Sequence, residues 1–177
     1  MLVRVDFNVS INNGAVGEDY RIRMSLPTIE YLTKRGAKVI LASHLGRPDG
    51  PDKQYSLAPV AKRLSDIVGR SHAPIRFVDD CVGFEVEDEI GKMGKGDVLL
   101  LENLRFHKEE ELNDPEFSKQ LAELADIYVN DAFSTSHRKH SSTYGAAWLF
   151  DTRLAGFNLS KEVEYLSMRR ESPIKPF

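Results

Sequence analysis

The 177-residue chain has a single cysteine, Cys81, so it can close no disulfide within itself and build no thiolate metal cage. Its apolar runs are too short to span a bilayer. It opens on strand-like "MLVRVDF", not on the basic and then apolar segments of a secretory leader. Positive charge is not in excess: 24 Lys and Arg against 27 Asp and Glu leave a formal charge of −3 and a pI near 6.0. That balance argues against a general binder of nucleic acid or membrane surfaces, so any anion site must be local. No GxGxxG follows the first strand and no GxxxxGK[ST] occurs; "GKMGKG" (91–96) precedes a strand where a phosphate loop would follow one. These absences predict a cytoplasmic protein with no membrane or nucleic-acid partner and no nucleotide loop of its own.

Hydrophobic residues make up 41% and charged residues 29%, the proportions of one globular domain with a full core. Strand-like and helix-like runs alternate from end to end. "MLVRVDFNV" reads as a strand, and Asn12-Asn13-Gly14 as a hairpin turn. Apolar residues at helical spacing predict a helix from Tyr20 to Arg35, kinked or restarted near Ser25 by Pro27 and stopped by Gly36. Strands follow at 38–43, 75–78, 97–102 and 127–130. Between them come helices at 56–67, 82–93 and, opened by Asp114-Pro115, 114–125. Further helices are expected at 143–150 and 159–170. "HKEEELND" reads as a solvated acidic turn, "DTRLAGF" as a short loop, Trp148 as core and "ESPIKPF" as a linker. The pattern predicts an α/β fold: a doubly wound, mostly parallel sheet with helices on both faces, in a single Rossmann-like domain.

In such a sheet ligands bind beyond the carboxyl ends of the strands. The loops there carry Asp6 and Asn8, then His44, Gly46 and Arg47, then Glu102, Asn103, Arg105 and His107, then Asn130, Asp131, His137, Arg138 and His140. Arg21, near the start of the first long helix, can face the same edge. "VGRSHAPI" and "GKMGKGD", at the opposite edge, are basic but lack the mixture of amides, carboxylates and hydroxyls. A solvated loop would explain "DAFSTSHRKHSSTYG" taken alone. Four arginines at one edge of an acidic protein instead suggest a trap for a small polyanion, because each guanidinium fork matches two oxygens of a phosphate or carboxylate. His137 and His140 lack an acidic neighbour at metal-ligand spacing, so no metal site is expected. Cys81 reads as a packed small residue with no partner to lower its pKa.

The segments "RVDFNV", "RIRMSLPTIEYL", "VILASHLGRPDG", "YSLAPVAKRL", "LLLENLRFHKEEELND" and "ADIYVNDAFSTSHRKHSST" resemble, in order and spacing, the amino-terminal half of phosphoglycerate kinase. The resemblance covers nearly the whole chain. It implies reversible phosphoryl transfer between 1,3-bisphosphoglycerate and ADP, giving 3-phosphoglycerate and ATP. The family's 3-phosphoglycerate site falls here on Asp6, Asn8, Arg21, His44, Arg47, Arg105, His137 and Arg138, with Arg21 as the catalytic residue that meets the phosphoryl group in flight. Ser134 and Ser136 stand where the family has glycine and alanine. The first exchange would strain the loop if that position needs a positive φ.

The resemblance further implies a substrate domain over 1–156 and, over 157–177, an interdomain hinge helix and the start of a linker to an absent carboxy-terminal nucleotide domain. Magnesium with ADP or ATP would belong to that domain, and no cofactor is expected on this chain. Alone, the chain is expected to be a monomer that binds 3-phosphoglycerate without turnover. Leu159, Val163 and Leu166 are expected to pack back onto the substrate domain. The alternative is a non-catalytic anion-binding or scaffolding module of the same fold.

Overall fold

The computed structural model describes residues 1–69 and 75–171. The chain runs through β1 (Leu2–Arg4), β2 (Ile11–Asn12), β3 (Ala15–Val16), α1 (Tyr20–Thr33), β4 (Val39–Ala42), α2 (Ala58–Val68) and β5 (Arg76–Phe77). It continues through α3 (Phe84–Gly91), β6 (Val98–Leu100), α4 (Lys108–Leu112), α5 (Pro115–Glu123), β7 (Ile127–Asn130), α6 (Ala146–Leu149), β8 (Thr152–Ala155) and α7 (Phe157–Glu171). Six strands form one sheet in the order β5-β6-β4-β1-β7-β8, with every neighbouring pair parallel. β2 and β3 form the expected hairpin, with Asn13 and Gly14 both at positive φ, as a two-residue turn of matching twist requires.

Strands such as "VILA" are apolar throughout, yet the two-residue period still assigns each side chain a face. Leu2, Ile40, Leu99 and Tyr128 join Val86, Phe117, Leu121 and Phe150 in one core cluster. Val3, Leu41, Leu100 and Val129 join Ile22, Ile29, Val60 and Leu64 in another. Thus α1 and α2 cover one face of the sheet, and α3, α5 and the end of α6 the other. The doubly wound α/β fold is as expected.

Several local expectations need correction. α1 runs as one helix through Pro27, without a restart at Ser25. Pro27 and Arg23 lie on its exposed side, where solvent can take the carbonyl that a prolyl nitrogen leaves without a donor. α1 ends in a Schellman motif: Gly36, at φ 78°, donates to Thr33 and Ala37 donates to Leu32. "HKEEELND" is not a solvated turn. It folds into α4, and Glu110 is buried. "DTRLAGF" contains β8, which pairs with β7 as an exposed edge strand. Trp148 is not core; it is 63% exposed beneath the Arg153 guanidinium.

Of the α7 residues expected to pack onto this domain, Leu159 is partly buried, but Val163 and Leu166 are not packed. Val163, Tyr165, Leu166 and Met168 are all about half exposed. Only the start of α7 is tied down: Phe157 meets the Tyr31 ring edge-on at 5.1 Å, and its N–H donates to Thr28 Oγ1. The tail from residue 172, read as a linker, and the middle of "VGRSHAPI" lie outside the described residues.

Candidate functional site

Each parallel strand delivers its following loop to the same edge, and β1, at the centre, places Asp6 and Asn8 in the middle of it. The Asp6 carboxylate accepts a hydrogen bond from the Asn8 N–H at 3.1 Å, one from the Ser134 hydroxyl at 2.6 Å, and an ion-paired contact from Arg21 Nη1. Asp6, Arg21 and Ser134 share a cavity of ≈ 260 Å³ with Tyr20, Met24 and Phe133. Ser134 sits in a 3-10 turn (Phe133–Thr135) and not among the residues of positive φ, so the strain conditionally expected from replacing glycine is not found. Its hydroxyl instead adds a bond to the carboxylate.

Gly46 joins this acidic corner to a basic one. Its N–H donates to Asn8 Oδ1 at 2.9 Å, and its carbonyl accepts from Arg105 Nη1. Only glycine suits the position: φ is +63°, and a Cβ would lie 2.3 Å from the Tyr55 ring. Glu102 and Asn103, candidates from the strand-end count, are internal struts. Glu102 accepts from Ser56 and from the Leu57 and Asn103 N–H groups, and Asn103 holds Leu45, Tyr55 and Arg105 through its amide. Asn130 likewise ties down Ala132 and Ser136, and Asp131 receives the Asn158 and Leu159 N–H groups in the first turn of α7.

The basic corner gathers Arg4, His44, Arg105, Arg138 and His140. Arg105 is not a surface arginine. It is 5% exposed, with Nη2 against Glu111 at 2.9 Å, and burial lowers its pKa. Among the described residues its Nε has no hydrogen-bond partner, and neither has the buried Nε of Arg138. A buried donor left unpaired costs about 1–3 kcal/mol, so two such guanidinium groups mark a place short of acceptors. His44 is buried, and its pKa falls to about 2, first through desolvation and then through Arg4, Arg105, Arg138 and His140. The ring is therefore neutral. Burial also lowers the His140 pKa.

Arg4 was missed by sequence reasoning. It stands inside a strand-like run, yet it is 1% exposed and fills the floor of the basic corner. The signal available was an arginine amid the apolar alternation of "LVRVDF". Its Nε donates to Ser142 Oγ at 2.9 Å, its Nη2 to His44 Nδ1 at 3.1 Å and its Nη1 to the Val5 carbonyl. Glu110 answers the charge through Ser142, accepting from its hydroxyl at 2.6 Å and its N–H at 2.8 Å.

Of the eight sequence-derived site residues, Asp6, Asn8 and Arg21 are joined in one corner, and His44, Arg105 and Arg138 in the other. Arg47 and His137 are exposed and make no hydrogen bond or ion pair with the described residues. His107 lies apart with Asp80 and Cys81, its Nε2 2.7 Å from Asp80 Oδ1. Cys81 is fully buried, its thiol donating to the Glu102 carbonyl, and burial raises its pKa, as befits a packing residue. Among the described residues, no helix is long and apolar enough to cross a membrane.

A family model described as phosphoglycerate kinase matches residues 1–177. The chain is 56% identical over 177 residues to phosphoglycerate kinase of Dictyoglomus turgidum, a match covering 100% of this chain and 44% of that protein. Among solved structures it is similar to phosphoglycerate kinase from Coxiella burnetii, with a TM-score of 0.85 and 39% identity over 99% of this chain and 43% of that one. Phosphoglycerate kinase from Pyrococcus horikoshii OT3 gives a TM-score of 0.87 at 33% identity, over 99% of this chain and 44% of that one. The chain thus spans less than half the length of the relatives it matches.

Proposed function

The chain belongs to the phosphoglycerate kinase family, and on that premise we propose that it is the part of such an enzyme that binds 3-phosphoglycerate and 1,3-bisphosphoglycerate. The observation that carries the reading is the convergence of Arg105 and Arg138 on the neutral His44 at the strand-end edge, a cluster of positive charge that a phosphate would neutralise. Arg47, exposed on the neighbouring loop, closes on the same phosphate, and His44 and His137 add donors. Asp6 and Asn8 orient the hydroxyl and carboxyl end of the molecule.

In the complete enzyme the bond between the acyl oxygen and phosphorus of 1,3-bisphosphoglycerate breaks. ADP takes the phosphoryl group, leaving the carboxylate of 3-phosphoglycerate and ATP. Arg21, half exposed and held by Asp6, meets the charge in transfer. Such a step needs positioning and charge neutralisation more than covalent chemistry.

This chain's own residues do not fit the magnesium nucleotide. Its strand-to-helix loops have no glycine-rich phosphate cradle. Among the described residues, the one cluster of three groups with metal-ligand spacing includes a thiol and an imidazole, which suit softer ions than magnesium. We therefore assign nucleotide and metal to a carboxy-terminal partner domain, residues 1–156 to substrate binding, and 157–177 to the hinge. The half-exposed apolar residues of α7 support that division. In the whole enzyme the partner domain covers them, and the protein is a cytoplasmic monomer.

Calorimetric titration with 3-phosphoglycerate tests the reading. Saturable binding that weakens as salt rises is expected, because the contacts are between charges. No detectable heat at millimolar ligand, from a sample shown to be folded, overturns it.

A further inference from the structure

The basic corner contains one group whose proton is settled by hydrogen-bond logic alone. An arginine has donors and no acceptor, so a His44 nitrogen 3.1 Å from Arg4 Nη2 must be the accepting one. Nδ1 is then bare, and in a neutral ring the proton sits on Nε2. That N–H donates to none of the described residues, and the ring lies within the fields of Arg105 and Arg138.

Arg4 cannot turn away from this task. Its Nε is engaged by Ser142 Oγ, whose own proton goes to Glu110 Oε1, and its Nη1 is engaged by the Val5 carbonyl. All four side chains of the series Glu110, Ser142, Arg4 and His44 are at least 95% buried. Donation runs outward from Arg4, through Ser142 to the carboxylate on one side and to the imidazole on the other, and each bond fixes the orientation of the next group.

We infer that Arg4, backed by Ser142 and Glu110, is a positioning residue that holds His44 as the Nε2–H tautomer, ready to donate to an oxygen of the bound phosphoglycerate. The inference rests on the substrate reading above for the identity of the acceptor, but not for the tautomer. A fixed donor lowers the ordering needed on binding, since neither a ring flip nor a tautomer exchange precedes the contact. Arg4 itself touches no substrate; it acts through the imidazole.

The test is long-range 1H–15N correlation spectroscopy of the histidine-labelled protein, with the His44 signals assigned by their loss in His44→Gln. A bare Nδ1 and a protonated Nε2, unchanged over roughly pH 5–8, are expected. A protonated Nδ1, or a ring that titrates in that range, overturns the inference. Arg4→Lys keeps the charge but replaces a fork by one point donor. It should give a mixture of tautomers and weaken 3-phosphoglycerate binding about tenfold. An unchanged His44 spectrum in that variant also overturns it. If Arg4→Lys does not fold, Ser142→Ala, which removes the acceptor of Arg4 Nε, should shift the tautomer population in the same direction. The expected tautomer in a protein that binds no 3-phosphoglycerate would support the positioning series and overturn the substrate reading.

Discussion

Replacing Glu110 by alanine removes a carboxylate that lies 1% exposed beneath an acidic-looking helix. Three losses follow from the geometry. The Ser142 N–H, 2.8 Å from Oε2, has no other acceptor among the described residues; the Ser142 hydroxyl loses its 2.6 Å partner; and the buried Arg4 guanidinium loses the largest compensating charge beside it. Hydrogen bonds to a charged group contribute about 1.5–3 kcal/mol each, and stripping one member from a buried charge network costs roughly 3–5 kcal/mol. We expect the latter figure for Glu110→Ala, with a fall in Tm on the order of 10 °C for a domain of this size. The control is Glu109→Ala. It removes an exposed carboxylate one residue earlier and should change stability by less than about 0.5 kcal/mol. Urea unfolding of both variants gives the comparison. Losses for the two variants within about 1 kcal/mol of each other would refute the reasoning, because they would show that Arg4 and Ser142 find other partners at little cost.

His44 carries a pH dependence. Its folded pKa of about 2 lies below the unfolded value of about 6.5, so its contribution is fully present above that value and is lost as pH falls. Between pH 7 and 5 the loss should reach roughly 2 kcal/mol, and unfolding of His44→Gln over the same range should lack this part of the slope; equal slopes would count against it. Ser134→Ala removes the 2.6 Å bond to Asp6 and should cost about 0.5–1.5 kcal/mol, measured by denaturant unfolding, while an unchanged midpoint would mean the bond adds nothing. Leu166→Lys on α7 should leave stability within about 0.5 kcal/mol of the parent, since that side chain is 47% exposed; a large loss would show that it is packed after all.

What could be read from the chain depended on whether the deciding partner was near in sequence. The Asn13-Gly14 turn, the Asp114-Pro115 helix start and the Gly36 stop are local chemistry, and all stand in the structure. α4 was not legible, because three consecutive glutamates look solvated until Ser142, some thirty residues on, is placed over the middle one. β8 was missed because "TRLA" has no buried side chain and is held only by main-chain pairing to β7. At the site, strand-end counting found Asp6, His44, Arg105 and Arg138. It also selected Glu102 and Asn103, whose role is to brace loops. It passed over Arg4, whose charge is tolerated inside a strand only because Glu110, Ser142 and His44 converge on it.

The place of β1 in the sheet sets an order of assembly. Leu2 pairs on one side with Ile40 and on the other with Tyr128. Closing the longer of these loops costs roughly 1 kcal/mol more in chain entropy, before any contact it brings is counted. The half-sheet of β1, β4 and β6 should therefore form early, leaving one edge of β1 open until β7 arrives. Until then Arg4 has His44 within reach but not Ser142, and its charge must stay hydrated. The step that docks β7 and the segment after it is thus the step that dries the arginine. Variants at Glu110 or Ser142 should consequently speed unfolding far more than they slow the first collapse.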